Sequence, residues 1–261
     1  MDLKLLQKEI RLKSATIINH AKASHIGGVF SSADILAVLY GEILEKNKNG
    51  LIDSVILSKG HCCAGVYSAL HSLGFISDEL LDSYGQNESP LMAHISHKVN
   101  TVEFSTGSLG HGLPFAVGKA IASQNKQKNI YVLLSDGEMD EGSNWEAIHF
   151  AGFHKLNNLT AIIDYNKYQS LATTFETLDL EPIVMKIESF NWNCIRCNGH
   201  DLNQLKKAFN KDSKSLPKMI ICDTQKGYPI DFMMNKVIWH YKPPSKEELD
   251  EIKHQLNIFY Q

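Results

Sequence analysis

The chain has 261 residues, with 26 Lys+Arg against 29 Asp+Glu for a net charge of -3, and it is 43% hydrophobic and 21% charged. That length suits one large domain or two small ones with a sizeable core, and the composition excludes a disordered chain. The near-neutral balance argues against a general nucleic-acid binder, which needs a basic face to offset phosphate charge.

The first helix runs from about Leu3 to Ala21, with Leu3, Leu6, Ile10, Ile17 and Ala21 on one face. The stretch Met1 to Lys13 mixes charged residues with leucines, so it lacks the apolar block of a signal peptide. Ser24-His25-Ile26-Gly27-Gly28 reads as a breaker, and Ser31-Ser32-Ala33-Asp34 as a capping-box-like start of a second helix. No apolar run reads as approaching the roughly 18–20 residues of a membrane span.

From there the pattern alternates. Ser54 to Leu57 is a short strand running into Ser58-Lys59-Gly60-His61 and a helix that ends near Gly74. Ile130 to Leu134 is a strand followed by Ser135-Asp136-Gly137-Glu138 and a helix from Asn144 to Leu156. Leu159 to Ile163 is a strand ending at Asp164-Tyr165-Asn166-Lys167. Strands at Asn193–Cys197 and Lys218–Cys222 flank a helix near Asp201–Phe209, and Ser245-Lys246-Glu247-Glu248 caps a last helix. Continuous apolar strands alternating with helices imply an α/β fold with a parallel sheet covered on both faces. No linker or repeat stands out, so residues 1–261 are expected to form a single domain. Five cysteines are too few for a disulfide scaffold, so a reducing cytoplasm is the expected setting.

In such a sheet, ligands bind beyond the carboxyl ends of the strands. Two of those loops carry hard oxygen donors. Asp136 precedes Gly137 and a helix N-terminus, a good arrangement for a cation that also holds a phosphate. Asn166 follows the next strand, about thirty residues on, and a βαβ unit brings the two loop ends together. Read alone, each loop also fits an ordinary acidic cap or turn. Cys194 and Cys197 do not read as a zinc site, because residues three apart in a strand point to opposite faces. Cys62 and Cys63 read as small packing residues at a helix start.

The run from Asp136 to Asn166 resembles the thiamine-diphosphate signature. Seven stretches, in order, are similar to the N-terminal, diphosphate-binding half of transketolases. They are Ser24 to Gly28, Ser58 to His61, Phe104 to Gly110, Asp136 to Glu146, Leu156 to Lys167, Asn198 to Asp201 and Lys226 to His240. The resemblance implies a thiamine diphosphate cofactor, with Mg2+ held by Asp136, Asn166 and the Tyr168 carbonyl. It implies cofactor contacts from His61, His240, Gly107, Ser108, Leu109, Gly137 and Asn166. His25, His240 and His94 match substrate-side histidines, the groups expected to act in catalysis. Glu141 and Glu146 match acids near the subunit contact. The chain carries 12 His, and imidazole suits proton traffic near neutral pH. His20, His71, His149, His154 and His254 are expected to be structural or surface groups, with His97 and His111 left open.

The implied reaction moves a two-carbon ketol unit from a ketose or its phosphate to an aldose or its phosphate. The resemblance places the activating glutamate in a second, pyrimidine-binding half for which the sequence offers no segment. The expectation is therefore a split enzyme, inactive alone, that forms an α2β2 heterotetramer with a separately encoded C-terminal transketolase subunit. Ser135 stands where the signature has its first Gly, His111 where Gln is common, Met92-Ala93-His94-Ile95 where Gly-His-Pro is usual, and Tyr241 where Gly often follows the histidine. These departures suggest a specialised member acting on an unusual sugar. The alternatives are an E1-like component of a 2-oxo acid dehydrogenase, or a scaffold that has lost catalysis. A generic nucleotide-binding protein is disfavoured by the absence of a Gly-Lys-Ser/Thr loop.

Overall fold

The computed structural model describes residues 2–47, 50–124 and 128–261. Strands β1 (Ser54–Leu57), β2 (Ile130–Ser135), β3 (Leu159–Tyr165), β4 (Asn193–Asn198) and β5 (Lys218–Asp223) form a five-stranded sheet in the order β1-β2-β3-β5-β4. Every neighbouring pair is parallel. A two-residue antiparallel ribbon, Lys46–Asn47 with Gly50–Leu51, lies outside it.

Strands β1, β2, β3 and β5 are mostly apolar and buried because both faces are covered, whereas the edge strand β4 carries Asn193, Arg196 and Asn198 and is partly exposed. Leu57, Leu133, Ile162 and Ile220 face one cluster, and Ile56, Val132, Ile163 and Ile221 face the other. The first cluster is closed by α1 (Leu3–Ala21), α2 (Ile26–Val38), α3 (Cys63–Ser72), α6 (Leu202–Asn210) and α7 (Lys246–Phe259). The second is closed by α4 (Gly112–Ser123) and α5 (Gly142–Phe153). The strand alternation carries Cys194 into the second cluster and Cys197 against the first, as their spacing implies. Cys62 and Cys63 are fully buried packing groups at the start of α3.

The helix ends follow local chemistry in most places. Asp2 caps α1 by accepting from the Lys4 amide, Asp201 caps α6, and Ser245 with Glu248 forms the anticipated capping box of α7. Helix α5 begins at Gly142 and ends at Phe153, and a 3-10 turn at Gly137–Asp140 fills the space after β2.

Two expectations are corrected. Helix α2 does not start at Ser31 but at Ile26, with His25 as its N-cap in the left-handed region at φ 75°. Ser31 and Ser32 lie inside the helix and donate back to the Gly28 carbonyl. Glycines 27 and 28 are there for close approach rather than as breakers: a Cβ on Gly28 would sit 3.0 Å from Cys62 Sγ. The expectation that no run reaches membrane-span length also fails, because α2 and the π-helical turn Leu39–Ile43 together form an 18-residue apolar helix. That helix is 83% buried between α1, α3 and the sheet, so its apolarity is used by the core.

Candidate active site

The loops leaving the carboxyl ends of β1, β2, β3 and β5 converge on one cleft of about 220 Å³. Ser135 comes from the end of β2, Asp136 and Gly137 from the loop after it, Asn166 and Tyr168 from the β3 loop, Lys59 and His61 from the β1 loop, and Lys226 from the β5 loop. His25 enters from the start of α2, His94, Gly107 and Leu109 from the long segment before α4, and His240 from the segment before α7. Every residue anticipated for the site lines this cleft except Ser108, which is exposed beside it. Ser135 lies within β2, paired with Asp164, so this position has extended backbone and does not require glycine.

At the β2 end the Asp136 carboxylate is buried. Its Oδ1 accepts from the Gly137 amide at 2.8 Å and its Oδ2 from the Lys167 amide at 2.5 Å. Burial, reinforced by the nearby negative Asp164, pushes its carboxyl up to about 7. Asn166 Oδ1 accepts from the Tyr168 amide at 3.0 Å. Each of these oxygens keeps a free lone pair.

Four histidine rings form the opposite wall. The His25 ring lies 5.1 Å from His61, 5.5 Å from His94 and 4.9 Å from His240, and His61 lies 5.6 Å from His240. The His25 amide donates to the His240 carbonyl at 2.9 Å, which ties the two loops together. His94 joins the cluster although Met92 and Ala93 replace the usual neighbours. Burial, with the charges of neighbouring Lys226 and Lys59, lowers His240 to about 3. Burial and the nearby His94 and Lys226 lower His25 to about 4. Burial and Lys59 hold His61 well below the usual range, and burial alone lowers His94. All four imidazoles are therefore neutral near pH 7.

Between the two walls lies a pair that sequence reasoning did not assign. Lys59 and Asp164 form a fully buried ion pair. Asp164 also accepts from Ser31, at 2.6 Å, and from Thr224. Burial opposes both charges, but each outweighs that cost for the other, raising Lys59 and lowering Asp164. Lys226 Nζ lies 3.2 Å from His240 Nδ1 and 3.3 Å from the Gln169 carbonyl. Burial and the positive Lys59 lower it to about 8. Both lysines stand in loops directly after strands, next to glycine, which was a usable signal. Glu138 is a third such group, fully buried, tying Ser58, the Gly110 amide and the Ser135 amide together.

The other anticipated histidines stay out of the cleft. His71 pairs with Asp78, His149 packs on Phe190, His154 on Phe150, and His20 and His254 are exposed. His97 bonds Ser105 at 2.6 Å, and His111 stands exposed as the N-cap of α4 without a side-chain bond. Glu141 and Glu146 are exposed on the surface at the start of α5. Tyr241 packs edge-on against His240, with centroids 4.9 Å apart, and is 48% exposed.

Residues 3–259 match the family described as "Transketolase, thiamine diphosphate binding domain". The chain is 37% identical over 258 residues to an apulose-4-phosphate transketolase subunit of Actinobacillus succinogenes, covering 95% of this chain and 94% of that protein. It is 35% identical over 257 residues to the protein of the same name from Phocaeicola vulgatus, covering 95% and 92%. Among solved structures, the transketolase of Campylobacter jejuni superposes with a TM-score of 0.90 at 29% identity, covering 98% of this chain. The chain spans 43% of the length of that transketolase.

Proposed function

This chain belongs to the transketolase family, and we propose that it is the diphosphate-binding subunit of a split transketolase that moves a two-carbon ketol unit from a ketose to an aldose. The observation that carries the reading is one cleft in which a cation-and-diphosphate corner faces four neutral histidines. Two relatives of nearly the same length, each named as one subunit of a transketolase, support the split assembly.

The residues present fit the cofactor. Asp136 and Asn166 are hard oxygen donors, suited to Mg2+, and buried Asp136 has no direct ion-pair partner among the described residues, so a bound divalent cation would neutralise it. Gly137 opens a 3-10 turn, and a Cβ there would sit 2.9 Å from Gln169 Cγ, so the position is held small. We assign Asp136, Asn166 and the Tyr168 carbonyl to the metal, with Gly137, His61, His240, Gly107 and Leu109 against the cofactor; Ser108, exposed, sits at the edge of that set.

Thiamine diphosphate, when bound, supplies the carbon nucleophile for breaking and forming the bond beside a ketose carbonyl. The chain supplies proton placement. An ammonium has no lone pair, so Lys226 donates to His240 Nδ1 and leaves the His240 proton on Nε2. His240 is thereby fixed as a hydrogen-bond donor to a substrate oxygen, with His25 and His94 beside it.

A cleft of about 220 Å³ lies below the ~300 Å³ typical of small-molecule pockets, which fits a site completed by a second surface. We assign that surface to a separately encoded partner in an α2β2 assembly in the cytoplasm, where the five free cysteines suit a reducing medium. The departures at Tyr241 and Met92, both exposed, fit an unusual sugar or sugar phosphate. The test is ketol transfer assayed with the chain and its partner, across pentose phosphates and branched sugar phosphates. Decarboxylation of a 2-oxo acid in place of ketol transfer would overturn the assignment.

A further inference from the structure

Behind the cleft lies a buried polar network with no part in the roles above. Arg11 is fully buried and grips Asp34 with both terminal nitrogens, at 2.6 and 2.8 Å. The same Asp34 Oδ2 lies 2.7 Å from His200 Nδ1. His200 Nε2 accepts from the Gln225 amide at 2.9 Å. An amide only donates, so the imidazole carries its proton on Nδ1 and gives it to Asp34.

The network holds the chain on both sides of Lys226. His200 holds Gln225, and Arg11 Nε donates to the Tyr228 carbonyl at 3.1 Å. The Tyr228 ring stacks on His200 with centroids 3.8 Å apart. Between these grips the Gly227 amide donates to the Gly27 carbonyl at 2.9 Å, which registers the turn against the start of α2. Asp34 lies on α2 itself, the helix that His25 caps. One carboxylate therefore locks two walls of the cleft together.

We infer that Asp34 and His200 are positioning residues: through the turn 225–228 they hold the Lys226 ammonium where it meets the diphosphate of the cofactor. The inference rests on the proposed function. It accounts for a buried ion pair, a kind that well-packed apolar residues often replace without loss of stability. It also assigns a use to the Asn198-Gly199-His200-Asp201 motif, which lies outside the cleft.

The test is a double-mutant cycle on the full chain with its partner subunit, read by calorimetric titration of inorganic pyrophosphate with Mg2+. Lys226→Ala is expected to weaken pyrophosphate binding about tenfold, the usual scale for a charge-assisted hydrogen bond. His200→Ala is expected to weaken it by a similar factor, and the double variant by no more than Lys226→Ala alone. His200→Gln, which still presents an acceptor to Gln225, is expected to recover most of the loss. Additive losses in the double variant would overturn the inference, as would unchanged binding in either single variant or no pyrophosphate binding by the unaltered chain. Asp136→Ala separates the two levels. If it abolishes binding while Lys226→Ala does not weaken it, the proposed function stands and this inference falls.

Discussion

Replacing Lys59 with Met tests whether the Lys59–Asp164 pair holds the centre of the site. Both side chains are essentially inaccessible, at 1% and 0% exposure, and Asp164 has Ser31, Thr224 and Asn166 as its other donors. Methionine fills much of the lysine volume, so the change removes the charge and leaves little cavity. What remains is a buried carboxylate that has lost its ion-pair partner and keeps only the more distant Lys226 as a positive neighbour. Breaking a buried pair on one side costs about 3–5 kcal/mol, a large share of the roughly 5–15 kcal/mol that holds a folded domain. In a chain of this size each kcal/mol moves the thermal midpoint by about 2–4 °C, so the expected drop is roughly 6–20 °C. Adding Asp164→Asn to the same chain removes the stranded charge and is expected to recover most of that loss. Thermal and urea unfolding of the wild type, the single variant and the double variant give the three values. A Lys59→Met midpoint within about 2 °C of wild type, or no recovery in the double variant, would refute the reasoning.

Two further predictions concern stability. Gly152→Ala places a Cβ 1.7 Å from the Phe190 carbonyl oxygen, so α5 or the Phe190 loop must move and stability should fall by about 2 kcal/mol or more. Gly118→Ala meets nothing within 4 Å on α4 and should stabilise by about 0.5–1 kcal/mol; urea midpoints with the opposite order would contradict the packing described. The neutral histidines set an acid limit. Folding lowers His25 from 6.5 to about 4 and His240 from 6.5 to about 3, so between those values the unfolded chain binds more protons and stability falls as pH falls. The double variant His25→Asn, His240→Asn should therefore lose less stability than wild type between pH 7 and pH 5, and equal losses would count against a neutral cluster.

How much of this was legible in the sequence follows from the range of the interactions involved. Helices α1 and α7 were readable because their caps and apolar stripes are local, written within a few residues. The inner strands β2 and β3 were readable because a sheet covered on both faces demands apolar runs. Helix α2 was misplaced because Gly27 and Gly28 spell a breaker locally, while their use is tertiary: a Cβ on Gly27 would sit 3.1 Å from Lys226 Cγ. Of the site, Asp136, Asn166 and the histidines were legible through strand-end position and resemblance to a family. Lys59 carried a strand-end signal beside Gly60, but its pairing with Asp164 was not legible, because the two lie 105 residues apart. Arg11 and Asp34 escaped for the same reason, and His200, though inside a stretch matched to the family, was given no role; each takes its partner only when α1, α2 and the β4 loop meet.

The measurement that bears most directly on the central claim is calorimetric titration of thiamine diphosphate with Mg2+ into this chain, alone and with the candidate partner subunit. Tight binding that requires the partner and is abolished by Asp136→Ala is the expected result. Binding that persists in Asp136→Ala, or no binding with a partner that restores ketol transfer, would contradict the assignment of this cleft.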